Sequence, residues 1–230
     1  RYTHDPYDTH KGLSNSDVMA IHEDEKGILW LGTEGGGLNR FDPVTGIFKY
    51  YKHDPKDPES ISDDKVYAIR QNKSGIFWIG TYRGGLNRFD PKTEKFKRFT
   101  ASKERMPKQT SGKSEYISDN IVISVCIDHN SIIWLGTFGG GLNRFDSADG
   151  SFIHYRNDPE DPSSISSDKI YTVYEDNSRN LWIGTAGGGL NRLDRRTGRF
   201  DRFRSSVNSP ESLSSNTVLS VYEDRDGFIW

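Results

Sequence analysis

The stretch "IWLGTFGGGLNRFD", Ile133–Asp146, decides the fold because the chain repeats it. Close copies begin at Leu29, Phe77 and Leu181, and a partial copy ends the chain at Trp230. The five tryptophans of these copies are spaced by 48, 56, 48 and 48 residues. A period of roughly 40–50 residues predicts an array of one supersecondary unit, with helical arrays and propellers as the main candidates.

The pattern inside the repeat favours the propeller. A second marker, "LSNS" at Leu13, recurs in register at Ile61, Ile117, Ile165 and Leu213. Runs such as "NSDVMAIHED" alternate apolar and polar residues, which predicts strands, and turn signals such as "DEKG", "GGG" and "DPVTG" separate the runs. No window shows an apolar stripe with the period of a helix. Four short antiparallel strands per repeat predict an all-β fold, a β-propeller with blades of about 48 residues.

The glycines of the repeated stretch have two possible roles, a phosphate-binding loop or a structural turn. A phosphate-binding loop needs a strand before it and a helix after it, so that the helix N-terminus meets the phosphate. Here a strand follows, and the motif occurs four times. We therefore expect structural turns in which glycine supplies positive φ and avoids crowding the neighbouring blade.

The full unit, with "D-x-x-G-x-L/I-W-I/L-G-T-x-G-G-G-L-N-R-F-D-P-x-T-G" at its centre, resembles the two-component regulator propeller repeat. Asn72, Ser131 and Arg179 depart from this pattern at turn positions. The resemblance implies the periplasmic sensor region of a bacterial hybrid histidine kinase. It further implies a periplasmic or extracellular location and a non-catalytic role for this region, in a parent protein that carries the kinase.

The repeats extend over the whole chain, which predicts a single propeller region, residues 1–230. Complete repeats are expected at about 13–60, 61–116, 117–164 and 165–212, and residues 213–230 with 1–12 supply parts of a fifth blade. Members of the resembled family commonly form seven-bladed rings, which implies that this chain is a fragment of such a ring. A five-bladed arrangement is the alternative.

Composition excludes several classes of partner. The net charge is −2, with 31 basic and 33 acidic residues interspersed, so neither a nucleic-acid surface nor a membrane contact is predicted. The single cysteine, Cys126, permits no internal disulfide and is expected to be a buried, inert thiol. The histidines lack metal-ligand spacing, and we predict neither a metal site nor a cofactor.

Candidate ligand-binding residues are those that vary inside the constant repeat. In the turn after the second strand these are Glu34, Tyr82, Arg83 and Phe138. This turn is expected to share a face with the connections between blades, of which the one at residues 101–116 is the longest. By contrast, the four repeated arginines, at Arg40 and its equivalents, are expected to pack between blades and pair with carboxylates.

Three functions fit this pattern. The first is a ligand-sensing module that recognises a carbohydrate fragment, since aromatic faces beside an arginine suit sugar rings and uronate carboxylates. The second is a structural or self-assembly module that pairs open blade edges with another copy. The third is a polysaccharide lyase or glycoside hydrolase, although no distinct acid and base can be assigned, so no catalytic residue is predicted.

Overall fold

The computed structural model describes Thr3, residues 12–102 and residues 112–230. Within these residues the chain forms sixteen β-strands of five or six residues. The strands are β1 Val18–Glu23, β2 Leu29–Thr33, β3 Leu38–Asp42, β4 Ile47–Tyr51, β5 Val66–Gln71, β6 Phe77–Thr81, β7 Leu86–Asp90, β8 Lys95–Phe99, β9 Val122–Ile127, β10 Ile133–Thr137, β11 Leu142–Asp146, β12 Ser151–Tyr155, β13 Ile170–Glu175, β14 Leu181–Thr185, β15 Leu190–Asp194 and β16 Arg199–Phe203.

The strands form four antiparallel sheets of four strands, each in sequential order. Blade 1 contains β1–β4, blade 2 β5–β8, blade 3 β9–β12 and blade 4 β13–β16. The register repeats as well, since Trp30 lies opposite Arg40 in blade 1 and Trp134 lies opposite Arg144 in blade 3. The all-β propeller fold and its four-stranded antiparallel blades are thus confirmed.

The described chain divides into two compact units. The first contains the residues up to Thr100 together with Asn120–Val122, and therefore blades 1 and 2. The second contains Ala101–Asp119 and Ile123–Trp230, and therefore most of blade 3 and all of blade 4. Of residues 1–12, expected to belong to the partial fifth blade, only Thr3 and Gly12 are described.

Each unit has an apolar core in which a tryptophan packs against the next blade. In the first unit, Trp30 is 2% exposed and lies against Phe77 and Phe89, with ring centroids 4.5 and 5.6 Å away. In the second unit, Trp134 is equally buried and belongs to one cluster with Ile170 and Leu181 of blade 4. Trp78 is also 2% exposed, whereas Trp182 is only partly buried.

The turn between the first and second strands is closed by an aspartate. Asp128 Oδ1 accepts the backbone N–H groups of Asn130 and Ile132, while Oδ2 accepts the indole N–H of Trp134 at 2.8 Å. Ser131 stands in this turn where the repeat pattern has glycine. It adopts φ +64°, a left-handed conformation that glycine adopts without strain. The substitution therefore preserves the turn at a conformational cost.

The two sequence markers recur together because they are hydrogen-bonded to each other. Buried Asn143 accepts the backbone N–H of Ser118 at 2.9 Å and donates its amide to the Ser118 hydroxyl at 2.7 Å. The same pair of bonds recurs in the other blades as Asn39 with Ser14, Asn87 with Ser62, and Asn191 with Ser166. A buried amide needs such partners, so every blade retains both residues.

The repeated glycines serve two different purposes. The third glycine of the turn has positive φ, as expected, at +78° in Gly141. The second glycine, Gly140, does not have positive φ. A Cβ built on it would lie 2.3 Å from the Ser118 hydroxyl oxygen, so a side chain is excluded there. We expected the turn glycines to avoid crowding the next blade, but a glycine of the second strand has this role. A Cβ built on Gly32 would lie 2.6 Å from the Val66 side chain of the next blade.

Two further observations complete the fold. Cys126 is partly buried at the edge of the second unit's core, so the expectation of full burial was wrong. Among the described residues there is no helix long and apolar enough to span a membrane.

Candidate functional site

The turn after the second strand and the connection between blades lie on one face, as predicted. In the first unit, the backbone N–H of Gly37 donates to Asp64 O at 2.8 Å, and Asp64 belongs to the connection from blade 1 to blade 2. The second unit repeats this contact between Gly141 and Asp168 at 2.9 Å. Residues that follow β2, β6, β10 and β14 are therefore presented beside the inter-blade connections of their own unit.

Glu34, directly after β2, contacts the next blade. Its backbone forms an antiparallel bridge with Lys65, and its Oε1 lies 2.5 Å from the Lys65 ammonium. The side chains are 28% and 42% exposed, so the pair lies at the surface. Blade 1 thus supplies a carboxylate that is already engaged by a cation of blade 2.

Tyr82, directly after β6, lies on the other side of the same lysine. The Lys65 ammonium lies 5.3 Å from the centre of the Tyr82 ring, and the Arg83 guanidinium lies at an equal distance. The Tyr67 ring lies 5.8 Å from the Tyr82 ring. Two cations and two phenol rings therefore meet around Tyr82, a cluster we call the Tyr82 site: Glu34, Lys65, Tyr67, Tyr82 and Arg83.

The charges of the Tyr82 site nearly balance. The hydrogen bond from Lys65 holds the pKa of Glu34 below its ordinary value, so this carboxylate is ionised at neutral pH. Burial and the neighbouring Glu34 carboxylate raise the pKa of Tyr67 to about 12, so its hydroxyl stays protonated. Asp63 accepts the backbone N–H groups of Lys65 and Arg83, which adds a second negative charge.

Arg83 is the adaptable member of this site. It is exposed, and among the residues the structure describes its guanidinium has no carboxylate partner. Stacking on Tyr82 restricts the stem while the five N–H donors remain available. A ligand that offers paired oxygens could therefore be bound there without displacing an internal ion pair.

Phe138, the fourth predicted residue, lies in the second unit with a different set of neighbours. It forms a backbone bridge with Lys169, whose ammonium lies 5.5 Å from the centre of its ring. The Tyr171 ring lies 5.8 Å from the Phe138 ring. We call Phe138, Lys169 and Tyr171 the Lys169 site.

Sequence reasoning missed the lysine and the tyrosine of both sites. The lysines directly precede the first strands of blades 2 and 4, and the tyrosines lie within those strands. The available signal was the pattern Lys-x-Tyr, which occurs as "KVY" at Lys65 and "KIY" at Lys169 but is absent from the other three first strands. Residues that differ between repeats thus mark the first strand as well as the turn.

The long connection is described only at its ends. Ala101 forms a parallel bridge with Ile117, and Ser114 forms an antiparallel bridge with Phe152 on the outer strand of blade 3. Lys113 pairs with Asp149. Residues 103–111, on which the expected binding role of this connection depends, lie outside the described residues.

One charged cluster lies at the opposite end of the strands in the second unit. Ligand atoms of Asp128, His129 and Glu175 lie within 4.8 Å of one another, an arrangement that could hold a metal ion. Arg195, however, donates to Glu175 at 2.6 Å and lies 3.6 Å from Asp128. The guanidinium already supplies the positive charge, so this cluster is an internal ion network.

Two of the repeated arginines lie near a carboxylate of their own blade. Arg192 pairs with Asp201 at 2.8 Å and lies over the Trp182 ring, with 5.8 Å between the guanidinium carbon and the ring centre. Arg144 lies 3.5 Å from Asp146. These contacts confirm the expected pairing with carboxylates for both arginines.

Comparison with known proteins identifies the repeat. The family described as two component regulator propeller matches residues 12–35, 60–83, 164–187 and 212–230. Over 51 residues, which are 22% of this chain and 4% of the relative, the chain is 51% identical to histidine kinase P4 of Formosa agariphila. The chain thus spans a small part of that curated relative.

Solved structures with a similar fold include an extracellular domain and an enzyme. The extracellular domain of a hybrid two component system from B. thetaiotaomicron matches all of this chain over 34% of its own length, with TM-score 0.73 and 19% identity. Virginiamycin B lyase from Staphylococcus aureus matches 93% of this chain over 62% of its own length, with TM-score 0.64 and 17% identity. At these identities the likeness establishes the fold alone. This chain thus matches two component regulator propeller repeats in those four stretches, and the solved structures agree with its propeller fold.

Proposed function

We propose that this propeller is a non-catalytic sensor module, periplasmic or extracellular, of a two-component signalling protein with a histidine kinase, and that it recognises a carbohydrate fragment. The observation that carries the proposal is the Tyr82 site, in which an exposed arginine stacks on a tyrosine beside further polar groups. Aromatic rings supply apolar area for the faces of sugar rings, while arginine and carboxylate groups orient hydroxyl groups or acidic substituents. Phe138, in the Lys169 site, offers a further ring.

The chemistry of the Tyr82 site argues against catalysis. A glycosidic acid catalyst needs a carboxyl group whose pKa is raised toward neutrality. Lys65 instead holds the pKa of Glu34 below its ordinary value, and the Tyr67 hydroxyl, with its pKa near 12, is not a base at neutral pH. Groups in these protonation states suit binding, so we place the lyase or hydrolase alternative behind the sensor.

A glycan array probed with the complete extracytoplasmic region of the protein tests the proposal. Titration of any positive saccharide into the Tyr82→Ala and Arg83→Ala variants should show binding weakened about tenfold or more, because a ring contact and a charge-assisted bond are lost. Thermal stability should stay nearly unchanged, since both side chains lie outside the repeated core. Unchanged affinity in both variants would refute the site.

Self-association is the second candidate, and one observation favours it. In the partial fifth repeat, Leu219, Tyr222, Phe228 and Trp230 are 60–75% exposed. An apolar surface of this kind suits another blade or another copy of the chain. Sedimentation equilibrium of the full-length extracytoplasmic region tests this candidate: a monomer at all concentrations would argue against it.

A further inference from the structure

The Tyr82 and Lys169 sites occupy equivalent positions of the repeat but differ in charge. Lysine and tyrosine are kept, as Lys65 and Tyr67 in one and Lys169 and Tyr171 in the other. Both carboxylates are lost in the second site, where Phe138 takes the place of Glu34 and Ser167 takes the place of Asp63. The second site therefore keeps the cation without the groups that neutralise it.

The contacts bear out this difference. Lys65 is paired with Glu34 at 2.5 Å, whereas Lys169 has no carboxylate within ion-pair distance in the part of the chain that the structure describes. The adjacent Asp168 faces Arg156 at 3.7 Å and accepts the backbone N–H of Asn157. Lys169 is exposed and touches the ring of Phe138, so its ammonium is held over an apolar surface.

The second site also lacks a ring that the first contains. Tyr82 contacts both the Lys65 ammonium and the Tyr67 ring in the first unit. Ala186 occupies the equivalent position in the second unit, and its backbone N–H donates to Lys169 O at 2.9 Å, as that of Tyr82 does to Lys65 O. The backbone is thus the same, but a methyl group replaces a phenol beside Lys169.

We propose that the Lys169 site binds a sugar ring that bears an anionic substituent, a carboxylate or a sulfate. The substituent pairs with the Lys169 ammonium, and the ring packs on Phe138 and Tyr171, at the position that Tyr82 fills in the first unit. The inference rests on the proposed carbohydrate function and adds a charge preference to it. The Tyr82 site, with its balanced charges, carries no such preference through its lysine.

A four-ligand titration tests the charge preference. The complete extracytoplasmic region is titrated with a glucuronate-containing disaccharide, a 6-sulfated N-acetylglucosamine, unsulfated N-acetylglucosamine and inorganic sulfate, with the amide resonances of residues 138 and 169–171 as the readout. One or both acidic sugars should bind at least tenfold more tightly than the neutral sugar and the inorganic ion. Equal binding of inorganic sulfate would overturn the proposal, because the ring would then contribute nothing.

Three variants separate the effect of the charge from an effect on the fold. Lys169→Met should lose the preference for the acidic sugar. Lys97→Met, which removes an exposed lysine 5.2 Å from the centre of the Phe99 ring and outside both sites, should leave that preference intact. Phe138→Glu restores the carboxylate of the first unit, so it should neutralise Lys169 and reduce binding of the acidic sugar about tenfold or more. Lys169 and Lys97 are exposed and Phe138 is partly buried, and unchanged melting temperatures of all three variants would show that the fold is intact.

The outcomes distinguish this proposal from the function on which it rests. Binding of sugars that perturbs Tyr82 but not residues 138 and 169–171 would refute the Lys169 site and leave the sensor proposal standing. No perturbation of either site by any sugar would count against both. An acidic sugar that binds Lys169→Met as tightly as the unaltered protein would refute the role of the ammonium.

Discussion

Replacing Trp134 with alanine should measure how much the packing between blades 3 and 4 stabilises the fold. The side chain is 2% exposed and packs against Ile170 and Leu181. A buried tryptophan removes roughly 150–250 Å² from water, and its truncation in a core costs about 3–5 kcal/mol. Loss of the indole N–H bond to Asp128 Oδ2, at 2.8 Å, adds about 1 kcal/mol. We therefore expect a loss of about 4–6 kcal/mol in the free energy of unfolding.

Asp128→Asn is the matched control, because it alters the hydrogen bond to the indole and the charge facing Arg195 while retaining the ring. The chain already has this residue at Asn72, the equivalent position in blade 2, where Oδ1 still accepts the turn N–H groups of Ser74 and Ile76. Asp128→Asn should lower the free energy of unfolding by about 1–2 kcal/mol. Urea unfolding followed by far-ultraviolet circular dichroism measures both variants. Equal losses in the two variants would refute the view that the tryptophan acts mainly through burial.

Three further predictions concern the turns and the charges. Gly140→Val should lower the free energy of unfolding by about 1–3 kcal/mol, because its Cβ would lie 2.3 Å from the Ser118 hydroxyl oxygen. Gly150→Ala has open space around it and should lower the free energy of unfolding by about 1 kcal/mol, because the residue has positive φ. Thermal melts that reverse this order would contradict the packing role of Gly140. Ser131→Gly should raise the free energy of unfolding by about 0.5–1 kcal/mol by relieving φ +64°, and a loss in urea unfolding would contradict the strain. The pKa of Glu34 in the folded protein is below its ordinary value. Its ion pair therefore stabilises the fold fully at pH values above the ordinary pKa, and this stabilisation is lost as the pH falls through the folded-state pKa. Glu34→Gln should therefore be less stable than the unaltered protein at pH 7 and nearly equal to it at pH 3, as unfolding curves at the two pH values can test.

The sequence predicted the blades well because each strand carries its own signal. The alternating apolar residues and the turn glycines of every repeat were enough to place four strands per repeat in sequential order. The sequence could not show why glycine is needed at Gly140. The Ser118 hydroxyl that excludes a side chain there lies 22 residues earlier in the chain, and the two residues come into contact only in the folded protein.

The candidate site was predicted only in part, for a related physical reason. Glu34, Tyr82 and Arg83 were found because they vary inside a constant turn. Lys65 contacts both Glu34 and Tyr82. This arrangement depends on the packing of blade 1 against blade 2, which no single repeat encodes. The separation of Phe138 into its own set of contacts, with Lys169 and Tyr171, likewise required the tertiary structure.

A crystal structure of the extracytoplasmic region with a saccharide found by the glycan array tests the central claim most directly. The sensor proposal predicts that a sugar ring lies against Tyr82 with an oxygen within hydrogen-bond distance of the Arg83 guanidinium, on the face of the inter-blade connections. A saccharide bound at the opposite end of the strands, beside the turn at residues 43–46, with the Tyr82 site empty, would contradict it.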